Sequence, residues 1–294
     1  MASLKEVKGR IASVNSTRKI TSAMKMVASA KLHRAQNSIA NMLPYEKKLH
    51  AMLTAFLSIE ADIQSPYIKE RSVKRVAIVA FSSNSSLCGA YNANVARQLN
   101  LMVDGYASEI GKENVLIFAV GKKIGHAAKK EGHNVVENFL EMADKPSYQE
   151  AFDLSRKLMK LFTEHQVDKV ELLYHHFKNT ASQLLTREEY LPVNLQAIET
   201  EEIPGQHHKW ALHHIFEPSK EDLLATLIPQ VLGLKLYTAL LDSNTSEHAA
   251  RTMAMQIATD NANDLIQELT VQYNKSRQQA ITNELLDIIG GSLK

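Results

Sequence analysis

Glycine and proline are concentrated in the middle of this chain, and that distribution does most to limit what it can fold into. Residues 1–43 contain Gly9 and no proline, and residues 234–289 contain neither. The turn formers Gly89, Gly105, Gly111, Gly121, Gly125, Gly132, Pro146, Pro192 and Gly205 crowd the centre. Both residue types disrupt helix interiors, so their absence permits uninterrupted helices at the two ends. A helix over 234–289 would be about 84 Å long at about 1.5 Å per residue. That exceeds the diameter of a small domain, so part of it is expected to protrude.

The N-terminal segment has the periodicity of a paired helix. Leu4, Val7, Ile11 and Val14 follow 3-4-3 spacing, and Ala28, Leu32, Ala35, Ile39 and Met42 resume the same frame. Sustained 3-4 spacing marks a left-handed coiled-coil seam. Arg18, Thr21 and Lys25 hold the intervening seam positions, and Ile20, Met24 and Val27 form a second apolar stripe beside it. A two-stranded coil has no use for that stripe, which requires either a third local element or a separate partner chain.

The C-terminal segment is less regular. Leu227, Val231, Leu234 and Leu241 fit a seam, after which small residues dominate: Ala249, Ala250, Ala254, Ala258 and Ala262. Ser219 and Asp222 form an S-x-x-D capping box after Pro218, which predicts the helix start. Pro229 predicts a kink or a restart soon after. The chain closes on Leu285, Leu286, Ile288, Ile289 and Leu293, whereas exposed ends are normally polar. An apolar tip should be covered. The N-terminal helix is roughly 25 Å too short to reach it at about 1.5 Å per residue, so a partner chain is expected there.

Charge and composition narrow the functional classes. Residues 1–34 hold eight Lys/Arg against one acid, Glu6, and residues 235–294 hold five Lys/Arg against seven Asp/Glu. Opposite net charge favours pairing of the two helices, at about 0.2–1 kcal/mol per exposed ion pair. A basic helix also suits nucleic acid, but its interleaved Ala, Ser, Met and Val offer no aromatic ring for base stacking, so no nucleic acid is expected. With 45% apolar and 22% charged residues the composition is that of a globular protein. No apolar run reaches the roughly 18 residues of a membrane span. The N-terminus carries Lys5, Glu6, Lys8 and Arg10 and lacks a signal-peptide core. Cys88 is the single cysteine, which excludes an intramolecular disulfide and fits a reducing compartment.

The middle reads as an α/β domain with a largely parallel sheet. Residues 76–81 and 115–120 are continuous apolar runs, as in strands buried on both faces, and Val170–Phe177 reads as a further strand. Helical patterns lie near 92–104, 122–130 and 147–164. Such sheets bind ligands at the C-terminal ends of their strands, where the loop Ser82–Gly89 sits. That loop lacks both the G-x-G-x-x-G and the G-x-x-x-x-G-K-[ST] spacing, and Gly121–Gly125 reads as a solvated helix start. The pairs His175–His176, His207–His208 and His213–His214 are adjacent, and neighbours on a strand face opposite ways, so a shared metal is not expected. Cys88 lacks the setting of a nucleophile, and no catalytic, cofactor-binding or metal-binding residue is expected.

Three segments resemble the gamma subunit of F-type ATP synthases. The first runs from Ile11–Val14 through Thr17–Ala28 to Lys31–Leu32; the second is Ser246–Met255 with Ala258–Ala262; the third is Ile281–Leu285 with Ile288–Gly290. Leu87–Asn92 adds a weaker match. The chain departs from the family pattern at Asn84-Ser85-Ser86, where Asp-Arg-Gly is common, and at Gly291, where alanine is usual. It lacks the dithiol insert of chloroplast members, so redox regulation of that kind is excluded.

The resemblance implies a long antiparallel coiled coil of terminal helices plus a central Rossmann-like α/β domain, with boundaries 1–58, 73–205 and 219–294. It implies a central rotor shaft that couples proton flow through a membrane c-ring to ATP synthesis or hydrolysis at catalytic beta subunits. The chain itself would be non-catalytic, within a proton-transporting translocase. Its partners would be the alpha and beta subunits, an epsilon-type subunit and the c-ring, at the cytoplasmic face of a bacterial inner membrane. Family contacts to the alpha/beta ring carry over to Arg251, Arg277, Gln278 and Thr282, with Met24 and Lys25 on the opposing helix and Leu285 and Ile288 in an upper bearing. A nucleotide-regulated α/β adaptor and a homodimeric coiled-coil scaffold are the competing expectations.

Overall fold

The computed structural model describes residues 4–59, 65–68, 71–193 and 220–292. They divide into two compact units, one of residues 1–30 with 251–294 and the other of residues 31–250. Both helices anticipated from the glycine and proline pattern are present: α1 spans Leu4–Ile59 and the C-terminal helix spans Lys220–Ser292. The C-terminal helix runs on through Pro229 without the expected restart. Leu227, Ile228, Leu232 and Leu234 around it are buried, and that packing offsets the lost hydrogen bond. Pro44 sits inside α1 in the same way, followed by the buried Leu49 and Leu53. The predicted cap at Ser219 lies outside the described residues.

The larger unit is a three-layer α/β structure. Strands β1 (Val76–Phe81), β2 (Val115–Val120), β3 (Asn134–Phe139), β4 (Lys169–Asn179) and β5 (Ser182–Leu191) form one sheet in the order β3-β2-β1-β4-β5. The first four are mutually parallel and β5 pairs antiparallel with β4. Helices α2 (Tyr91–Ile110), α3 (Lys122–Lys130), α4 (Leu140–Asp144) and α5 (Tyr148–Thr163) fill the connections, and the C-terminal helix becomes α6. β3 and β5 have no counterpart in the sequence reading. As sheet edges they are only half-buried, so NVVENF and SQLLTREEYL lack the continuous apolar run of β1 and β2.

Alternate residues of β1 go to opposite faces, as a pleated strand requires. Val76, Ile78 and Ala80 pack with Val95, Leu99 and Val103 of α2 and Ile124 of α3. Ala77, Val79 and Phe81 pack with Leu154, Leu158 and Phe162 of α5, with Leu49 and Leu53 of α1, and with α6 from Leu227 to Leu240. Leu227, Val231 and Leu234, read above as a coiled-coil seam, therefore belong to this core. Their heptad spacing is shared by any helix that buries one face.

In the smaller unit α1 and α6 pair antiparallel. The Arg18 guanidinium donates to Asn263 Oδ1 at 3.4 Å, and Thr21 Oγ1 lies 2.8 Å from Thr259 Oγ1. Val7, Thr21 and Ala28 are the buried seam positions of α1. On α6 the seam is Thr252, Met255, Thr259, Ala262, Ile266, Leu269, Tyr273, Ser276 and Ala280, all buried or half-buried at strict 3-4 spacing. Of the small residues expected there, only Ala262 lies on it. The true seam escaped notice because Thr252, Thr259 and Ser276 interrupt its apolar pattern.

Candidate functional site

The register of the paired helices decides what they can offer a partner. Contacts Arg18–Asn263 and Thr21–Thr259 place Leu4 level with about residue 276, one residue per 1.5 Å on each helix. Beyond that level no described residue of α1 lies beside α6. There Ile281, Leu285, Leu286, Ile288 and Ile289 are all between 49% and 67% exposed. Five large apolar side chains within nine residues on an uncovered helix end form a patch rather than scattered exposure.

The residues carried over from the family fall into two groups along this unit. Met24, Lys25 and Arg251 are half-buried, and the register sets Met24 and Lys25 opposite residues 255 and 256. Arg277, Gln278, Thr282, Leu285 and Ile288 are exposed and lie at the far end. Arg251 and Arg277 stand about 39 Å apart along the helix at 1.5 Å per residue, so the two groups cannot form one site. The Thr282 hydroxyl donates to the Gln278 backbone carbonyl at 3.0 Å.

The second apolar stripe of α1 lies at the surface of this unit. Ile20 and Val27 are exposed and Met24 half-buried, with Met26 exposed beside them. No third element of this unit covers them among the described residues. α6 adds Met253, Ile257, Leu265 and Val271, which the sequence reading missed because it followed small residues rather than exposed apolar ones.

In the α/β unit the crevice where such sheets take ligands is filled by the chain itself. The strand order reverses between β1 and β4, and α6 lies at their C-terminal ends. Tyr91 Oη lies 2.6 Å from Ser243 Oγ, Asn244 Nδ2 donates to the Ala143 carbonyl at 3.0 Å, and Ser246 Oγ donates to the His175 carbonyl at 3.0 Å. The space left among Phe81, Tyr91, Val120, Ala143 and Ser243 is about 10 Å³, the limit for one water. Nothing of nucleotide size fits.

The Ser82–Gly89 loop spends its polar groups internally. Asn84 Oδ1 accepts from the Lys122 amide, Ser82 Oγ from the Ile124 amide, and the Ser83 carbonyl from the Lys123 amide. These are the opening N–H groups of α3, which an anion would need. Gly121 makes the fit close: its φ is +105°, and a Cβ there would lie 2.3 Å from the Ser82 carbonyl oxygen. Cys88 is buried and accepts from Asn92 Nδ2 at 3.1 Å.

His175 and His176 face opposite ways, as strand neighbours must. His175 is buried and stacks on Tyr91 with ring centroids 4.4 Å apart, and burial pushes its pKa down to about 4. His176 Nδ1 lies 2.5 Å from Asp242 Oδ2. The other two histidine pairs lie outside the described residues.

Paired helices with outward apolar faces and an uncovered apolar tip, together with an α/β unit whose crevice is occupied by its own helix, define a non-catalytic assembly subunit. The protein-family model described as ATP synthase matches residues 3–293. The chain belongs to the ATP synthase gamma-chain family, and its role is that of the gamma subunit of a rotary ATP synthase. It is 61% identical to the ATP synthase gamma chain of Phocaeicola vulgatus over 293 residues, 100% of both chains. It is 60% identical to that of Bacteroides thetaiotaomicron, again over 100% of both, and 42% identical to that of Flavobacterium johnsoniae over 99% of this chain and 98% of the relative.

The fold recurs in solved structures. A chain of the Euglena gracilis mitochondrial ATP synthase OSCP/F1/c-ring structure in rotational state 3 superposes with a TM-score of 0.68 at 21% identity, covering 99% of this chain and 93% of that one. A chain of the rotor of the same enzyme in rotational state 1 gives 0.63 at 20% identity, covering 95% and 98%. Among the described residues no helix is long and apolar enough to cross a membrane.

Proposed function

We propose that this chain is the central rotor shaft of an F-type ATP synthase, turning inside a ring of alternating alpha and beta subunits. Proton flow through a membrane c-ring drives it, and its asymmetry takes each catalytic beta subunit through its binding states. The chain binds no substrate and belongs to a proton-transporting translocase. The 73–205 domain engages an epsilon-type subunit and the c-ring, while 1–58 and 219–294 supply the shaft. The assembly works at the cytoplasmic face of a bacterial inner membrane, to which this chain is peripheral.

The observation that carries the reading is the uncovered apolar end of α6 at Ile281–Ile289. Dispersion contacts are non-directional, so an apolar tip can turn within an apolar sleeve where fixed ion pairs would resist. Leu285 and Ile288 serve as that bearing, with Arg277, Gln278 and Thr282 just below. Met24, Lys25 and Arg251 meet the ring about 39 Å away at 1.5 Å per residue, so the shaft is held at two levels.

Co-expression with the alpha and beta subunits tests this. The chain is expected to purify with both subunits, and the complex to show ATP-driven rotation. Purification as a stable homodimer that does not join them would overturn the reading in favour of the scaffold. Tight nucleotide binding by the chain alone would favour the adaptor.

A further inference from the structure

Every residue of α6 from Leu241 to Ala249 is buried, and seven of the nine, Asp242–His248, are polar or charged. A helix normally buries one apolar face, so a turn that is polar and enclosed on all sides has a different task. Its partners come from separate elements of the α/β unit. Asp242 Oδ1 accepts from the Phe177 amide at 2.8 Å, and Asp242 Oδ2 meets His176 at the end of β4. Tyr91, opening α2, bonds Ser243; Asn244 reaches the α4 carbonyl of Ala143; Ser246 reaches the β4 carbonyl of His175.

At about 100° per residue, 242, 243, 244 and 246 point over roughly 200° of the helix circumference. Interdigitated apolar side chains already resist rotation of a packed helix, and directional bonds add a further restraint. Hydrogen bonds are directional and weaken steeply when misaligned. Bonds spread around more than half the circumference therefore fix both the rotational and the axial setting of α6.

We propose that this collar is the torsional joint of the rotor, with Asp242, Ser243 and Tyr91 as positioning residues that make α6 and the sheet turn as one body. The sheet's ligand crevice has been converted into a socket for the chain's own helix. This rests on the rotor reading above.

The test uses the chain assembled with alpha and beta subunits, carrying a probe on the α/β unit through Lys112→Cys. Angular fluctuation of the probe is recorded while the rotor is paused. The double change Tyr91→Phe with Asp242→Leu removes the hydrogen bonds of both side chains and keeps their approximate shape. Its angular variance is expected to rise at least about twofold, since each lost bond is a separate restraint. Tyr91→Phe alone, which retains the ring against His175, is expected to give a smaller rise and stands in if the double variant fails to assemble. Leu158→Ala loosens the core without touching the collar and should lower thermal stability while leaving the variance unchanged.

Unchanged variance in the Tyr91 and Asp242 variants overturns the proposal. So does an equal rise in Leu158→Ala, which would mean general loosening. Failure of the rotor reading would show separately, as absence of ATP-driven rotation with the collar residues unaltered.

Discussion

Thr21 Oγ1 and Thr259 Oγ1 lie 2.8 Å apart across the seam of the paired helices. Thr21 is buried, and its hydroxyl is also within 3.1 Å of the Arg18 carbonyl, while Thr259 reaches the Met255 carbonyl at 2.7 Å. Two hydroxyls, either of which can donate to the other, in a seam flanked by Ala28, Met255 and Ala262 set the register in the way a single buried polar residue does in other coiled coils. A shift by one heptad would set Thr259 against Val14 or Ala28, and in one of the two directions Thr21 against Ile266.

Thr21→Val and Thr259→Val should therefore each destabilise the chain by about 1 kcal/mol, and the double change by less than the sum. A coupling energy of about 0.5–1.5 kcal/mol in a denaturation cycle is the expected result. A coupling of zero would mean that each hydroxyl is satisfied by its own helix and that the contact does not set the register.

His175 links stability to pH. Burial holds its pKa at about 4, below the ordinary 6.5, so the folded chain keeps it neutral where the unfolded chain takes up a proton. Stability should fall as pH drops from about 6.5 towards 4 and level off below that, by about 3 kcal/mol for a shift of this size. In His175→Gln this component should vanish, while carboxylate contributions common to both proteins remain. Urea midpoints at pH 7 and pH 4.5 measure it; identical pH slopes in the two proteins would rule the assignment out.

Gly233 sits inside α6 against the ring of Phe152 on α5, and a Cβ there would come within 2.2 Å of it. In an open helix position Gly→Ala would stabilise by up to about 1 kcal/mol. Here the ring has little freedom, because Tyr148 stacks on it at 5.8 Å and Arg156 lies over it at 4.9 Å. Gly233→Ala should therefore destabilise by about 1–3 kcal/mol, the usual cost of overpacking. Adding Phe152→Leu should recover most of that loss in a thermal melt.

Legibility followed the strength of the local pattern. β1 and β2 were readable to the residue because both faces are buried and every position is apolar. β3 and β5 were not, because an edge strand needs no such run, and Glu137, Arg187 and Glu188 look like loop residues until their partners are known. The α1 seam survived three polar positions because its frame resumes at Ala28. The α6 seam did not, since Ala249, Ala250, Ala254 and Ala258, which stand out in the sequence, all lie off it. The run Asp242–His248 stands in the sequence as seven consecutive polar residues within 234–289, the stretch free of glycine and proline. Its meaning depended on Tyr91, Ala143 and His175, which lie about 70–150 residues away in the chain, and no spacing rule connects them.

Glu171 is a buried carboxylate enclosed by opposite charge. It lies buried on β4, where Arg187 of β5 grips it through Nε and Nη2 at 2.9 Å each, Tyr106 of α2 donates at 2.7 Å, and Lys169 Nζ stands 3.4 Å away. Its hydrogen bond to Arg187 raises the guanidinium pKa, and burial together with Glu171 raises that of Tyr106. Removing one partner of a buried pair costs about 3–5 kcal/mol, because the other charge is left without compensation. The Arg187 side chain is 47% exposed and can turn to water, so Glu171→Ala should fall at the lower end, near 3 kcal/mol. Glu171→Gln keeps the shape but sets an amide donor against the guanidinium and should cost about 2 kcal/mol. Arg187→Lys loses only the two-pronged grip and should cost about 1 kcal/mol. Urea denaturation of the three variants should return that order, and added salt should change it little, since Glu171 is screened far less than a surface carboxylate. A loss below about 1 kcal/mol for Glu171→Ala would show that β5 is held to the sheet by its backbone ladder alone.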